Sequence, residues 1–490
     1  MAHVPQSRLF LVLVVAATGY CAAACTQALG PGYTIDKQEI RLRFVPDPQP
    51  RIRVDAEYRL RNDGSQPLSS LELRLASPRR FRFADPHAEW DAQALPLEPS
   101  PANARNVQLT FPQSWVISAV HTLRVSVEYQ PAESNEDTLS FSSDAFYLPA
   151  EGWSPQLLPA RGIFATGGVP PKTWLLTLRV PDGFLVHTGG RQLKDSRNAT
   201  ERTIHAVQQP KDGYPFVIAG RFHAAQLNAG PETVNLWTRT PQDPGELRQP
   251  AEALVRTLQA YNSMFGNRGA ESHQLWIVEC PVVRGCFTSA ASSYANLISK
   301  ENEKPSAQMA SLDTVMIDLR AGATGIAAAA PSLASSWLGY GQNPGFYEQD
   351  PPLSALPAFA ASRGREVVEG PQVRTETIRR ALHFIPVHAE PRPPEDAAVV
   401  RAKSLLFFYG LQDRYGPETF NNALSHMLYA RRGGGFNLDD LIAAFEQESH
   451  QNVAEFVRRW MKRPGVPADF RARYETTASA RSANPKEIIP

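Results

Sequence analysis

Cysteine is nearly absent from this chain, with four in 490 residues, and that excludes a disulfide-built scaffold. A surplus of either charge is also missing. Lys and Arg total 50 against 49 Asp and Glu, for a net charge of +1, so no basic face for nucleic acid and no polyanionic partner is indicated. The chain has no internal repeat and no Gly-x-Ser-x-Gly elbow of a serine hydrolase. The apolar run Leu9–Ala17 is too short to span a bilayer securely. Proline is abundant instead, with 42 residues, which favours loops and strands over a helical bundle. A hydrophobic share of 42% and a charged share of 20% suit a globular protein, and this length accommodates two or three domains.

The apolar run, behind Arg8 and ahead of Ala22-Ala23-Ala24-Cys25, has the form of an export signal over residues 1–24. Two readings of Cys25 stay open: a lipid-modified N-terminus of an envelope lipoprotein, or cleavage after Ala24 to give a soluble periplasmic or secreted protein. Cys280 and Cys286 then remain, either bridged in a small loop or as two buried thiols.

After a linker over 25–32, residues 33–240 carry strand grammar. Ile52, Val54, Ala56, Tyr58 and Leu60 alternate with polar residues before the turn Asn62-Asp63-Gly64. The segments His121–Tyr129, Trp174–Val180 and Tyr214–Phe222 repeat the pattern. A large antiparallel saddle or sandwich follows. Residues 241–470 change to helical spacing. Leu254, Leu258, Tyr261 and Phe265 share one helix face that stops at Gly266, and Gln274–Glu279 is a short strand. Asn437 with Asp440, and Asn452 with Glu455, have the spacing of helix caps. Residues 471–490 are polar and read as a disordered tail. The fold class expected is α+β.

The segment Pro331-Ser332-Leu333-Ala334-Ser335-Ser336-Trp337-Leu338-Gly339 resembles the zinc-binding helix of the membrane alanyl aminopeptidase family of gluzincin metallopeptidases, H-E-L-A-H-Q-W-W-G. Trp153-Ser154-Pro155, Tyr214-Pro215-Phe216, the stretch Leu405–Leu424 and Trp460–Pro467 are similar to further phrases of that family, so the likeness extends over nearly the whole chain after the leader. It implies an aminopeptidase-like β domain followed by a thermolysin-like, mainly helical domain, without the family's additional C-terminal superhelix.

The resemblance also implies which positions should carry chemistry, and here the chain departs from it. Pro331 and Ser335 stand at the two histidine ligands, Ser332 at the general base, and Ser354 at the third ligand. Thr288, within Gly285-Cys286-Phe287-Thr288-Ser289, stands at the glutamate that holds a substrate's free amine, and Arg401 at the transition-state tyrosine. A catalytic zinc needs about three protein donors, and neither a proline ring nor a neutral hydroxyl serves. Pro331 is also expected to open or kink its helix. The substitutions point to a pseudopeptidase without cofactor, which binds a peptide or protein partner through the former cleft, with Gly285, Thr288, Ser289 and Trp337 as contact positions. Two alternatives are an active zinc aminopeptidase with a rewired site, and a structural subunit of an envelope complex. His383, His388 and Glu390, around Pro386, read as a surface loop rather than a second metal site.

Overall fold

The computed structural model describes residues 32–75, 81–101, 103, 106–131, 142–150, 153–160, 168–210, 213–240, 244–268, 274–280, 307–311, 313–319, 322–338, 352–386, 397–431, 436–462 and 465–482. Its strands are β1 (Thr34–Val45), β2 (Arg51–Arg61), β3 (Leu68–Arg74), β4 (Phe81–Trp90), β5 (Gln93–Leu95), β6 (Leu97–Pro99) and β7 (Asn106–Trp115). There follow β8 (Val120–Pro131), β9 (Ala145–Leu148), β10 (Gln156–Leu157), β11 (Trp174–Pro181), β12 (Leu185–Thr188), β13 (Arg191–Arg197) and β14 (Glu201–Gln208). The remaining strands are β15 (Val217–Gly220), β16 (His223–Ala229), β17 (Glu232–Thr238), β18 (Gln274–Glu279), β19 (Ala307–Ser311) and β20 (Thr314–Ile317). The helices are α1 (Pro244–Phe265), α2 (Gly322–Leu338), α3 (Leu356–Glu369), α4 (Gln372–His383) and α5 (Ala397–Tyr415). They continue with α6 (Pro417–Ala430), α7 (Leu438–Ser449), α8 (Val453–Lys462) and α9 (Ala468–Ser482).

Two compact units share the chain. The first takes Met1–Ala132, Glu151–Asp182 and Thr188–Pro215, and the second takes Glu133–Ala150, Gly183–His187 and Phe216–Pro490. In the first unit an eight-stranded sheet runs β13-β14-β11-β1-β2-β8-β4-β5, beside a four-stranded sheet β10-β3-β7-β6. The large sheet is antiparallel in the registers described, except where β1 meets β11. Tyr58, Leu60, Leu71, Leu73, Trp90, Trp115 and Leu123 form one apolar cluster. The alternation in β2 does what its spacing predicts: Ile52, Val54, Ala56, Tyr58 and Leu60 are all buried. Trp153 is also buried, and its indole N–H donates to the Pro215 carbonyl (3.1 Å).

The second unit has a three-stranded sheet β12-β15-β9 and a five-stranded sheet β16-β17-β18-β20-β19. β18 pairs in parallel with both β17 and β20, and β19 closes the edge antiparallel. All four residues of β20, Thr-Val-Met-Ile, are buried, as suits a parallel strand covered on both faces. The helices bury Leu254, Leu258, Tyr261, Ile326, Leu333, Phe359, Phe407, Phe408 and Trp460 in one core. α1 ends at Phe265, where Gly266 takes a φ of +72°. Asn437 and Asp440 close a reciprocal capping box on α7, and Asn452 accepts from the Glu455 amide at 3.1 Å.

Of the two effects expected of Pro331, opening the helix does not occur, because α2 begins at Gly322 and continues to Leu338 with the proline inside. Tertiary burial of Leu333, Ala334 and Leu338 holds together a helix that its local sequence would weaken. Residues 471–482 of the expected tail are helical, in α9. Phe470 anchors that helix against the Trp460 ring, with centroids 5.1 Å apart, and Tyr474 donates to Asp413 at 2.8 Å. Those two aromatic anchors were hidden within a polar composition.

His187, on β12, is enclosed by aromatic rings. It stacks on Trp276 with centroids 4.2 Å apart and meets Phe216 and Trp237 edge-on at 5.5 and 6.1 Å. Its Nε2 lies 2.8 Å from Thr314 Oγ1, and the Thr314 hydroxyl donates to Asp313 at 2.9 Å, so the imidazole donates to Thr314. Burial pulls its pKa from 6.5 down to about 4, against the opposing pull of Asp313. The unfolded chain therefore takes up a proton that the native state refuses as pH falls from about 6.5 to 4. Stability should decline across that window by about 3 kcal/mol and level off below it. Urea titrations at pH 7 and pH 4.5 should show this loss in the wild type and a flatter dependence in His187→Asn. An unchanged dependence in the variant would assign the loss to other groups.

Candidate functional site

The candidate site is built on α2, whose residues Ala327, Ala329 and Ala330 are fully buried. Small side chains let neighbouring helices approach closely. At Gly364 on α3, an added Cβ would lie 2.2 Å from the Tyr261 hydroxyl and 3.1 Å from the Ala330 Cβ. Tyr261, on α1, uses that space to donate from its hydroxyl to the Ala330 carbonyl at 3.0 Å. Burial pushes its phenol far above the usual value of 10, so it is a fixed donor.

One residue past that carbonyl come the positions of interest. Pro331 and Ser332 are half-buried, and Ser335 and Ser336 are buried. Pro331 and Ser335 are one turn apart, the spacing that places two side chains on one helix face. The Ser335 hydroxyl folds back to donate to the Pro331 carbonyl at 2.9 Å. The Ser336 hydroxyl is buried with no hydrogen-bond partner among the described residues. Trp337, expected at a substrate contact, shares its indole N–H between Asn262 Oδ1 and the Gly266 carbonyl, each at 3.2 Å. Its ring also meets Tyr261 edge-on with centroids 5.5 Å apart, which braces α2 against the end of α1.

The other expected positions lie on separate elements. Ser354 is in a single 3-10 turn, Leu353–Ala355, leading into α3, and Arg401 is half-buried on α5. Gly285, Thr288, Ser289, Cys286 and Cys25 lie outside the described residues, as do His388 and Glu390. Cys280 is buried and disulfide-bonded, and the other three cysteines lie outside the described residues.

Zinc does not fit the donor set on α2. The pyrrolidine ring of Pro331 has no lone pair to give, and the Ser335 hydroxyl is a neutral, weak ligand whose proton points to a backbone carbonyl. Among the described residues no group of three His, Cys, Asp or Glu converges to hold a metal ion.

A polar chain behind the site escaped sequence reasoning. Tyr409 on α5 donates to Ser362 on α3 at 2.6 Å, and Ser362 donates to Thr377 on α4 at 3.2 Å, all fully or nearly fully buried. The Arg374 guanidinium sits 5.2 Å over the Tyr409 ring, and burial pushes the phenol up to about 12. The signal was present: α5 is apolar around its whole circumference from Leu405 to Leu411, so a tyrosine in that run needs a buried partner.

A scan against models of protein families and a search of curated proteins both return no match. Solved structures do match. A glutamate-to-alanine mutant of the M1 zinc metallopeptidase of Deinococcus radiodurans aligns with a TM-score of 0.51 and 16% identity, over 89% of this chain and 96% of that one. The same mutant bound to a Tyr-Ser-Ala substrate gives 0.50 at 16% identity, over the same shares. Legionella pneumophila aminopeptidase A, in complex with aspartic acid, gives 0.52 at 14% identity over 89% of this chain. This chain spans 50% of that longer protein. The architecture is thus that of the two-domain M1 zinc metallopeptidases: a β-sheet unit followed by a mainly helical one. In particular, the chain has an aminopeptidase-like fold.

The close approach of α2 and α3 gives a direct test. Gly364→Ala should cost about 1–3 kcal/mol in denaturant unfolding, because the new methyl meets a hydroxyl that cannot leave without losing its acceptor. Adding Tyr261→Phe should recover part of that loss. A Gly364→Ala protein of wild-type stability would contradict the packing described.

Proposed function

We propose that this chain is a non-catalytic aminopeptidase-like protein, a pseudopeptidase, that is exported and binds a peptide or protein partner through the place where this fold carries an active site. The observation that carries the reading is the donor set on α2. Pro331, Ser332 and Ser335 replace two imidazoles and a carboxylate, and the Ser335 hydroxyl is turned onto the helix's own backbone. Losing one ligand leaves room for rewiring. Losing the ligands, the base and the amine anchor together removes both the Lewis acid and the group that would activate water. The export half of the reading rests on Leu9–Ala17 and on Ala22-Ala23-Ala24-Cys25, with the periplasm or cell envelope as destination and a lipid on Cys25 as anchor.

Two measurements test the catalytic half. Protein purified without chelator should hold well below one equivalent of zinc by elemental analysis, and it should leave aminoacyl-nitroanilides intact with or without added zinc. Stoichiometric zinc with chelator-sensitive turnover would restore the rewired aminopeptidase. The binding half is tested by calorimetry with Tyr-Ser-Ala, the tripeptide held by the Deinococcus mutant. Measurable binding supports a peptide site, and its absence across a tripeptide set would favour a purely structural subunit.

Installing the missing donors is a second test. The triple variant Pro331→His, Ser332→Glu, Ser335→His should gain zinc affinity, because i and i+4 imidazoles share one helix face. Equal zinc uptake by parent and variant would argue that the α2 surface is not where this fold would hold a metal.

A further inference from the structure

One exposed apolar cluster stands out at the β7–β8 turn. Val116, Ile117 and Val120 are 56, 47 and 43% exposed, whereas the adjoining Trp115 is 1% exposed. Isolated exposed apolar residues need no explanation, but three within five positions in a turn that crosses from one sheet to the other do. No charged side chain occurs from Pro112 to Val120. The tip is also held rigidly. The Ala119 amide donates to the Val116 carbonyl at 3.2 Å, and the Trp115 indole donates to the Ala119 carbonyl at 3.0 Å. Asn62 completes the clamp. Its side chain donates to the Trp115 carbonyl at 2.8 Å, its amide donates to Ala119, and its carbonyl accepts from Ser118. Such a loop can enter an apolar medium without desolvating an ion and with much of its backbone already hydrogen-bonded.

The chain's own course says what that medium is. Gly32, the first described residue, abuts this same clamp: its carbonyl oxygen would lie 2.8 Å from a Cβ on Gly64, whose amide donates to Asn62 Oδ1 at 3.0 Å. Gly32 therefore enters the fold beside the Asn62 clamp that holds the exposed tip. From Cys25 to Gly32 the chain spans at most about 25 Å, so a lipid on Cys25 would hold the clamp and its tip within that reach of the bilayer.

We propose that Val116, Ile117 and Val120 form a membrane-docking tip that inserts into the interfacial region of the bilayer to which a lipid on Cys25 anchors the chain. This goes beyond the pseudopeptidase reading and rests only on its export half. Docking there would fix the first unit's sheet end against lipid, with the β4 residue Phe83 far from it. Val120 pairs with Arg61 while Phe83 pairs with Tyr129, nine residues along the same strand, or about 30 Å.

The test is depth-dependent quenching on the full chain. Ile117→Trp and Phe83→Trp proteins, each corrected for wild-type fluorescence, are mixed with phosphatidylcholine–phosphatidylglycerol vesicles with and without brominated acyl chains. Bromine should quench the tryptophan at 117 about threefold or more beyond that at 83. Val116→Ser/Ile117→Ser should lower the vesicle-bound fraction while thermal unfolding stays unchanged, since both residues are exposed. Equal quenching at the two positions, whether from absent binding or from association between copies, overturns the proposal. The fraction of wild-type and Cys25→Ser chain recovered with the envelope reports separately on the anchor. An equal distribution would remove the lipid on Cys25 and leave the tip to be judged by quenching alone.

Discussion

The helical unit turns on one contact: the Tyr261 hydroxyl reaching the Ala330 carbonyl through a space that only Gly364 leaves open. It fixes three helices at once. α1 supplies the tyrosine, α2 the carbonyl and α3 the glycine. The same tyrosine lies edge-on to Trp337, whose indole N–H returns to the end of α1. With those bonds made, α2 stays helical across Pro331 even though that residue removes one backbone donor. The packing, rather than the propensity of the segment, decides its conformation.

That rigidity separates scaffold from chemistry. A metal site needs donors whose lone pairs aim outward from the helix into an open space. On α2 one of those positions has no lone pair and the other is a neutral hydroxyl with its proton turned onto the helix backbone, and the aromatic beside them acts as a brace. The core does not draw on the side chains at these positions. Its stability comes from Ile326, Leu333, Phe359, Phe407, Phe408 and Trp460, which are buried whatever occupies the surface of the helix.

Much of this was legible in the residues, and the limits are instructive. Period-two alternation located β2, β8 and β11, because a half-buried sheet enforces it residue by residue. Caps at Asn437 and Asn452 were legible because the bonds they make are local. Phrases quoted separately from the sequence also meet in space. Trp153 bonds the Pro215 carbonyl, and the Trp460 ring fills the space beside Gly410. The course of α2 through Pro331 and the helix over 471–482 were not legible, since distant partners stabilise both. The Tyr409–Ser362–Thr377 chain joins three helices, and no sequence window contains it.

The sequence alone determined the alternation of strands, the cap positions, and the absence of histidine and carboxylate from residues 331–338. Each is a property of neighbouring residues or of side-chain identity. Tertiary structure decided that the Ser335 hydroxyl turns onto its own helix, that Trp337 braces α2 against α1, that His187 is sealed among aromatic rings, and that Gly32 lies against Gly64 beside the Asn62 clamp. Those outcomes depend on groups far apart in the chain, and only close packing brings them within bonding distance.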